Sequence, residues 1–131
     1  MRIGELAERV GASTRALRHY ESRGLLRARR DSSGYRDYDE HDLRLAAEIR
    51  SLLAIGFTLE ETRPFVDCLR AGHEAGDACP DSVAVYRRKL TEVDACLTRL
   101  NSVRDQLAEA LIRSAEHRTT APPARCELTI D

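Results

Sequence analysis

The sequence predicts a mainly α-helical chain in which two short helices and a small β-wing precede one long helix. Three observations carry that prediction. Apolar residues recur at helical spacing in short blocks near the N-terminus, and Gly11 and Gly24 punctuate them. A turn-forming cluster, Asp31-Ser32-Ser33-Gly34, lies between Leu25-Leu26 and the tyrosines Tyr35 and Tyr38. From Val83 to Leu111, apolar side chains fall on alternating steps of three and four.

The chain has 131 residues, 42% of them hydrophobic, 33% charged and 5% aromatic, which suits a helix-rich domain that buries a modest core. No apolar run approaches the roughly 20 residues needed to span a bilayer, so we expect a cytoplasmic protein with no membrane partner. The formal net charge of -1 hides an asymmetry. Residues 1 to 38 carry nine arginines against five acids, and the rest of the chain is correspondingly acidic. A basic N-terminal third points to a local polyanion-binding face.

Each element has its own signal. Ile3, Leu6, Ala7 and Val10 mark a short amphipathic helix that ends near Gly11. Ser13 can cap a second helix, Thr14 to about Ser22, and Gly24 is placed to end it in a left-handed conformation. Two short helices joined by a tight Gly-containing turn make a helix-turn-helix. The turn cluster after it predicts a two-stranded wing. Leu43, Ala46, Ala47, Ile49, Leu52 and Leu53 predict a third helix up to Gly56. Thr58 and Glu61 form a capping-box signature for a helix through about Leu69, with a kink or early end expected at Pro64.

A loop over 71–81 then leads into the long helix, Ser82 to about Glu116. Its stripe of Val83, Tyr86, Leu90, Val93, Leu97, Leu100, Leu107 and Leu111 is interrupted only by Arg104. Such a helix spans ~52 Å, too long for the N-terminal domain to cover, so the stripe calls for a second copy of the chain. The expected organisation is residues 1–70 as a winged helix-turn-helix domain with hinge helices, 71–81 as linker, 82–117 as dimerisation helix and 118–131 as a C-terminal effector-region tail.

The run Arg18-His19-Tyr20-Glu21 gathers four proton-handling side chains. On a helix they point about 100° apart and do not converge on one substrate, so an enzyme is not expected. As a binding surface they make sense. Arg15 and Arg18 share a face suited to phosphates or a guanine edge, and His19 and Tyr20 can donate to phosphate oxygens. Leu17 turns inward. The competing reading is a helical interaction module that acts through its coiled coil without nucleic acid.

The segments "RIGELAERVGASTRALRHYESRGLL", "GYRDYDEHDL" and "LLAIGFTLEE" together resemble the MerR family of bacterial transcription regulators, across about the first 70 residues and in the family's order. His19 stands where the family usually has Tyr. The resemblance implies a homodimer paired through antiparallel long helices. It implies a cytoplasmic activator or repressor that binds a palindrome in double-stranded promoter DNA and distorts the spacer so that RNA polymerase can engage both promoter elements. It places Thr14, Arg15, Arg18, His19 and Tyr20 of the helix, and Tyr35 and Arg36 of the wing, against DNA, with Tyr38 packing wing to core.

The family divides by its C-terminal region, and the residues after the long helix leave no room for an added ligand domain. The expectation is therefore a small sensor or a ligand-free architectural regulator. Cys79 resembles a thiolate ligand that metal-sensing members place before the dimerisation helix. With His117 and Cys126 it would make a site for Zn²⁺ or a soft metal ion. Ser114 and Ala115 stand where those members tend to have cysteine. Independently, Cys68 and Cys79 flank one loop and can approach closely enough for thiol redox chemistry. Cys96, beside the Leu97 seam, is expected to be a buried packing residue.

Overall fold

The computed structural model describes residues 1–117, and two compact units divide the chain, the first being Met1–Leu90 and the second starting at Thr91. In chain order the elements are α1 (Ile3–Val10), α2 (Thr14–Ser22), β1 (Arg29–Arg30), β2 (Arg36–Asp37), α3 (Glu40–Ala54), a 3-10 turn (Glu60–Thr62), α4 (Arg63–Arg70) and α5 (Pro80–Glu116). The strands pair antiparallel, with Arg29 opposite Asp37 and Arg30 opposite Arg36. No helix among the described residues is long and apolar enough to cross a membrane.

The core of the first unit forms where the apolar faces of α1, α2, α3 and α4 meet the base of the wing. Leu6, Leu17, Tyr20, Leu25, Leu26, Tyr38, Leu45, Ile49, Val66 and Leu69 make one buried cluster. A smaller one joins Leu52, Phe57, Phe65 and Val85, with Tyr86 packed against it. Its three rings meet edge-on at centroid distances of 5.9, 5.9 and 5.0 Å, the arrangement that aromatic quadrupoles favour. The first turns of α5, up to Leu90, thus belong to the first unit.

Helix α3 starts on a reciprocal cap. Asp39 accepts from the Asp42 N–H at 3.0 Å, and Asp42 accepts from the Asp39 N–H at 2.9 Å. Asp42 is buried, and Arg29 of β1 donates to it at 2.8 Å, so one carboxylate fastens the wing to the helix that follows.

Two expectations need correction. Thr58 and Glu61 do bond reciprocally, at 2.8 and 3.3 Å, but they open only a 3-10 turn. The helix proper begins at Arg63, which puts Pro64 in its first turn and not in its interior. A missing N–H removes no intrahelical bond there, so no kink results. Cys96 is exposed in the single chain, because its face of α5 packs against nothing in the second unit.

Asp42→Ala should leave the Asp39 N–H without its acceptor and Arg29 with Asp39 alone. Stability should fall by about 1–3 kcal/mol, read from the shift of a urea unfolding midpoint.

Candidate nucleic-acid interface

Helix α2 is nine residues long and cannot persist on its own. Its two ends are therefore fixed from outside. Ser13 Oγ accepts from the Ala16 N–H at 3.0 Å at the start. At the far end Gly24, at φ 76°, lets the chain turn back, so that the Gly24 N–H reaches the Glu21 carbonyl at 3.0 Å and the Leu25 N–H reaches that of Tyr20 at 2.9 Å. Helix α4 then covers the carbonyls left over. Arg63 donates to the Arg23 carbonyl at 2.7 Å, and Arg70 to those of Gly24 and Leu25 at 3.2 and 2.7 Å.

With Leu17 and Tyr20 in the core, Arg15, Arg18 and His19 face solvent, and Thr14 is half-buried at the first turn. Tyr20, expected to donate to a phosphate oxygen, is only 5% exposed and its ring belongs to the core cluster. Tyr35 is 64% exposed on the wing. Arg36 is half-exposed and already engaged, its Nε donating to Glu21 at 3.0 Å, so it braces the wing as well as facing outward.

Glu21 is the joint between helix and wing. Its other oxygen accepts from the Tyr38 hydroxyl at 2.9 Å. Tyr38 therefore packs wing to core, as the sequence indicates, and burial and then Glu21 push its hydroxyl up to about 12. The outer wing is held by Arg2, which pairs with Asp31 at 2.6 Å and stacks 5.0 Å over the Tyr35 ring. That hydrogen bond, foremost, holds Asp31 below the usual carboxylate range.

The pairing pattern selects the cations that remain for a polyanion. Arg2, Arg9, Arg23, Arg29 and Arg36 are paired with Asp31, Glu40, Glu60, Asp39 with Asp42, and Glu21 respectively. Arg30 donates to the Gly34 carbonyl at 2.7 Å. Of the nine arginines in residues 1–38, Arg15, Arg18 and Arg27 make neither an ion pair nor a side-chain hydrogen bond. Two of these three lie on the exposed face of α2.

A second group gathers at the α4–α5 loop. Cys68 and Cys79 form a disulfide with Cα atoms 5.9 Å apart, and His73 stands beside it. His117 lies in the second unit, and Cys126 lies outside the described residues. Sequence reading singled out neither His73 nor the clamps Arg63 and Arg70. Arg63 and Arg70 meet carbonyls 40 to 46 residues away, and nothing local signals those contacts.

The family model for "MerR HTH family regulatory protein" matches residues 1–67, and one for "MerR, DNA binding" matches residues 43–110. The HTH-type transcriptional regulator HmrR of Rhizobium leguminosarum bv. viciae is 40% identical over 82% of this chain and 81% of its own length. The HTH-type transcriptional regulator CueR of Salmonella typhimurium is 32% identical over 82% of this chain and 76% of its own. Among solved structures, the transcription regulator PbrR691 of Ralstonia metallidurans CH34, in complex with lead(II), superposes with a TM-score of 0.70 at 32% identity, covering 92% of this chain and 91% of that one. HiNmlR, a regulator lacking the sensor domain and bound to promoter DNA, has a TM-score of 0.55 at 23% identity, covers 89% of each chain, and supports the fold alone.

Because the Tyr38 hydroxyl is raised from 10.0 to about 12 in the folded chain, its contribution should be complete below pH 10 and lost as pH rises from 10 to about 12. Tyr38→Phe should lower stability by about 0.5–1.5 kcal/mol at neutral pH and remove that part of the alkaline loss, seen in unfolding midpoints measured against pH.

Proposed function

The chain belongs to the MerR family of helix-turn-helix regulators, and from that premise we propose that it works as a homodimer that grips a palindromic promoter spacer and distorts it to control RNA polymerase. The relatives named above are transcription regulators and not enzymes. One observation carries the contact assignment: Arg15 and Arg18 are the unpaired cations on the exposed face of a helix whose other face is core.

In this reading α2 enters the major groove. Arg15 and Arg18 meet phosphates or a guanine edge, His19 and the Tyr20 hydroxyl donate to phosphates, and Thr14 adds a contact at the helix start. Tyr35 and the free amino groups of Arg36 follow the neighbouring backbone from the wing. Glu21 keeps the angle between the two contacts constant, so the duplex must conform to the protein. Bending and untwisting a promoter spacer costs about 1–6 kcal/mol, and two such domains on one dimer can impose it.

The dimer is supported by α5, whose Leu90, Val93, Leu97, Leu100, Val103, Leu107 and Leu111 are exposed in the single chain, Leu97 at 53% and Leu111 at 72%. An apolar stripe of this length along a helix is the seam of a coiled coil.

Two measurements test the reading. Arg18→Ala should weaken binding to a duplex selected by the wild-type protein from a random pool by about 1–3 kcal/mol and flatten the salt dependence of affinity, followed by fluorescence anisotropy. Unchanged affinity would take α2 out of the interface. Replacing Leu97 and Leu100 together with Glu should give monomers on sizing chromatography, whereas a persistent dimer would place the interface elsewhere.

A further inference from the structure

The loop between α4 and α5 is fastened more closely than a connector requires. Ser82 Oγ donates to the Gly76 carbonyl at 2.6 Å in a buried contact, and Arg44 of α3 donates to the Glu74 carbonyl at 2.6 Å. Cys68 Sγ lies 3.5 Å from the Ala75 carbonyl oxygen. Gly76 sits close to its neighbours, since a Cβ there would stand 3.2 Å from the Phe65 carbonyl oxygen and 2.9 Å from the movable Glu48 Oε1. These contacts determine where the loop's chemistry-bearing residues meet.

Three of them meet at one point. The sulfurs of Cys68 and Cys79 and a ring nitrogen of His73 all lie within 4.8 Å of one another. In a tetrahedral zinc site, metal–ligand lengths of about 2.3 Å to sulfur and 2.0–2.1 Å to nitrogen put the ligand atoms about 3.5–3.8 Å apart. Rotamer adjustment of the exposed His73 and half-exposed Cys79 closes that difference. The donor set also selects the ion. Two thiolates and an imidazole exclude Ca²⁺ and Mg²⁺, and the solvent access at His73 suits Zn²⁺ with a water in the fourth position.

We propose that the reduced chain binds one Zn²⁺ ion on Cys68, His73 and Cys79 of a single subunit, and that the Cys68–Cys79 disulfide is the metal-free alternative of the same site. Loading the ion releases two thiol protons, with His73 neutral. Emptying it needs a two-electron oxidant of the peroxide class. Both metal–sulfur bonds break as the S–S bond forms, the electron pair cleaves the O–O bond of hydrogen peroxide, and two protons from solvent complete two waters. The ion leaves as Zn²⁺. This site shares only Cys79 with the Cys79, His117 and Cys126 set, and it does not depend on the DNA-binding assignment.

The test uses the full chain, reduced, stripped of metal and titrated anaerobically with Co²⁺ and then Zn²⁺. Thiolate-to-cobalt charge-transfer absorption should saturate at one ion per chain and disappear on adding Zn²⁺, and hydrogen peroxide should release the metal as two thiols are lost. His73→Ala, in an exposed loop position, should weaken affinity by at least about tenfold without loss of helicity. Cys68→Ser should lower the charge-transfer intensity, while Cys126→Ser and His117→Ala should match the wild-type chain. Wild-type affinity in both His73→Ala and Cys68→Ser would overturn the proposal. So would a reduced chain that takes up no cobalt, and so would loss of binding in Cys126→Ser, which would put the ion on the tail.

Discussion

The hydrogen bonds from Arg70 to the carbonyls of Gly24 and Leu25 are the constraint on which the DNA-facing half depends. A nine-residue helix is too short to hold its own shape in water, and the face that α2 shows to solvent carries like charges. Its geometry has to come from its ends. Ser13 supplies one, and the guanidinium groups of Arg63 and Arg70 supply the other. Because the clamp comes from α4, the face that α2 offers to solvent is positioned from outside the helix-turn-helix.

Glu21 extends that positioning to the wing through Arg36 and Tyr38. The same economy governs charge across the N-terminal third. Most of its arginines are consumed in bridges that hold helices and strands together, which is how a chain of net charge -1 can still present a focused cationic face. The cations without an ion pair, not the total, define the surface that a polyanion meets.

Much of this was legible in the sequence because it rests on local signals. Ser13 as a cap, Gly24 as a terminator, the turn around Gly34 and the spacing of Leu6, Leu17 and Leu45 are all decided within a few residues of chain. The contacts of Arg63 and Arg70 with the end of α2 join residues about 40 apart, and no periodicity announces them. Pro64 was misplaced for a related reason. A capping box states that a helical turn begins at Thr58, but whether that turn continues as 3-10 or α is settled by the burial of Thr62 and Phe65. Likewise the thiol pair was readable from its two flanks, whereas the approach of His73 depends on how Gly76 seats the loop against α3.

Helix α4 is a plate only eight residues long, and Cys68 and Arg70 are two steps apart on it, so their side chains leave in nearly opposite directions. One side handles sulfur chemistry, the other holds the end of the recognition helix. Between them lies a single helix whose Val66 and Leu69 are buried in the core. If the proposed occupant of the loop changes the grip on a promoter by some factor, linkage requires an occupied promoter to change the occupant's affinity by the same factor. Under such linkage, the threshold for filling the loop site would be a property of the DNA-bound complex and not of the free protein.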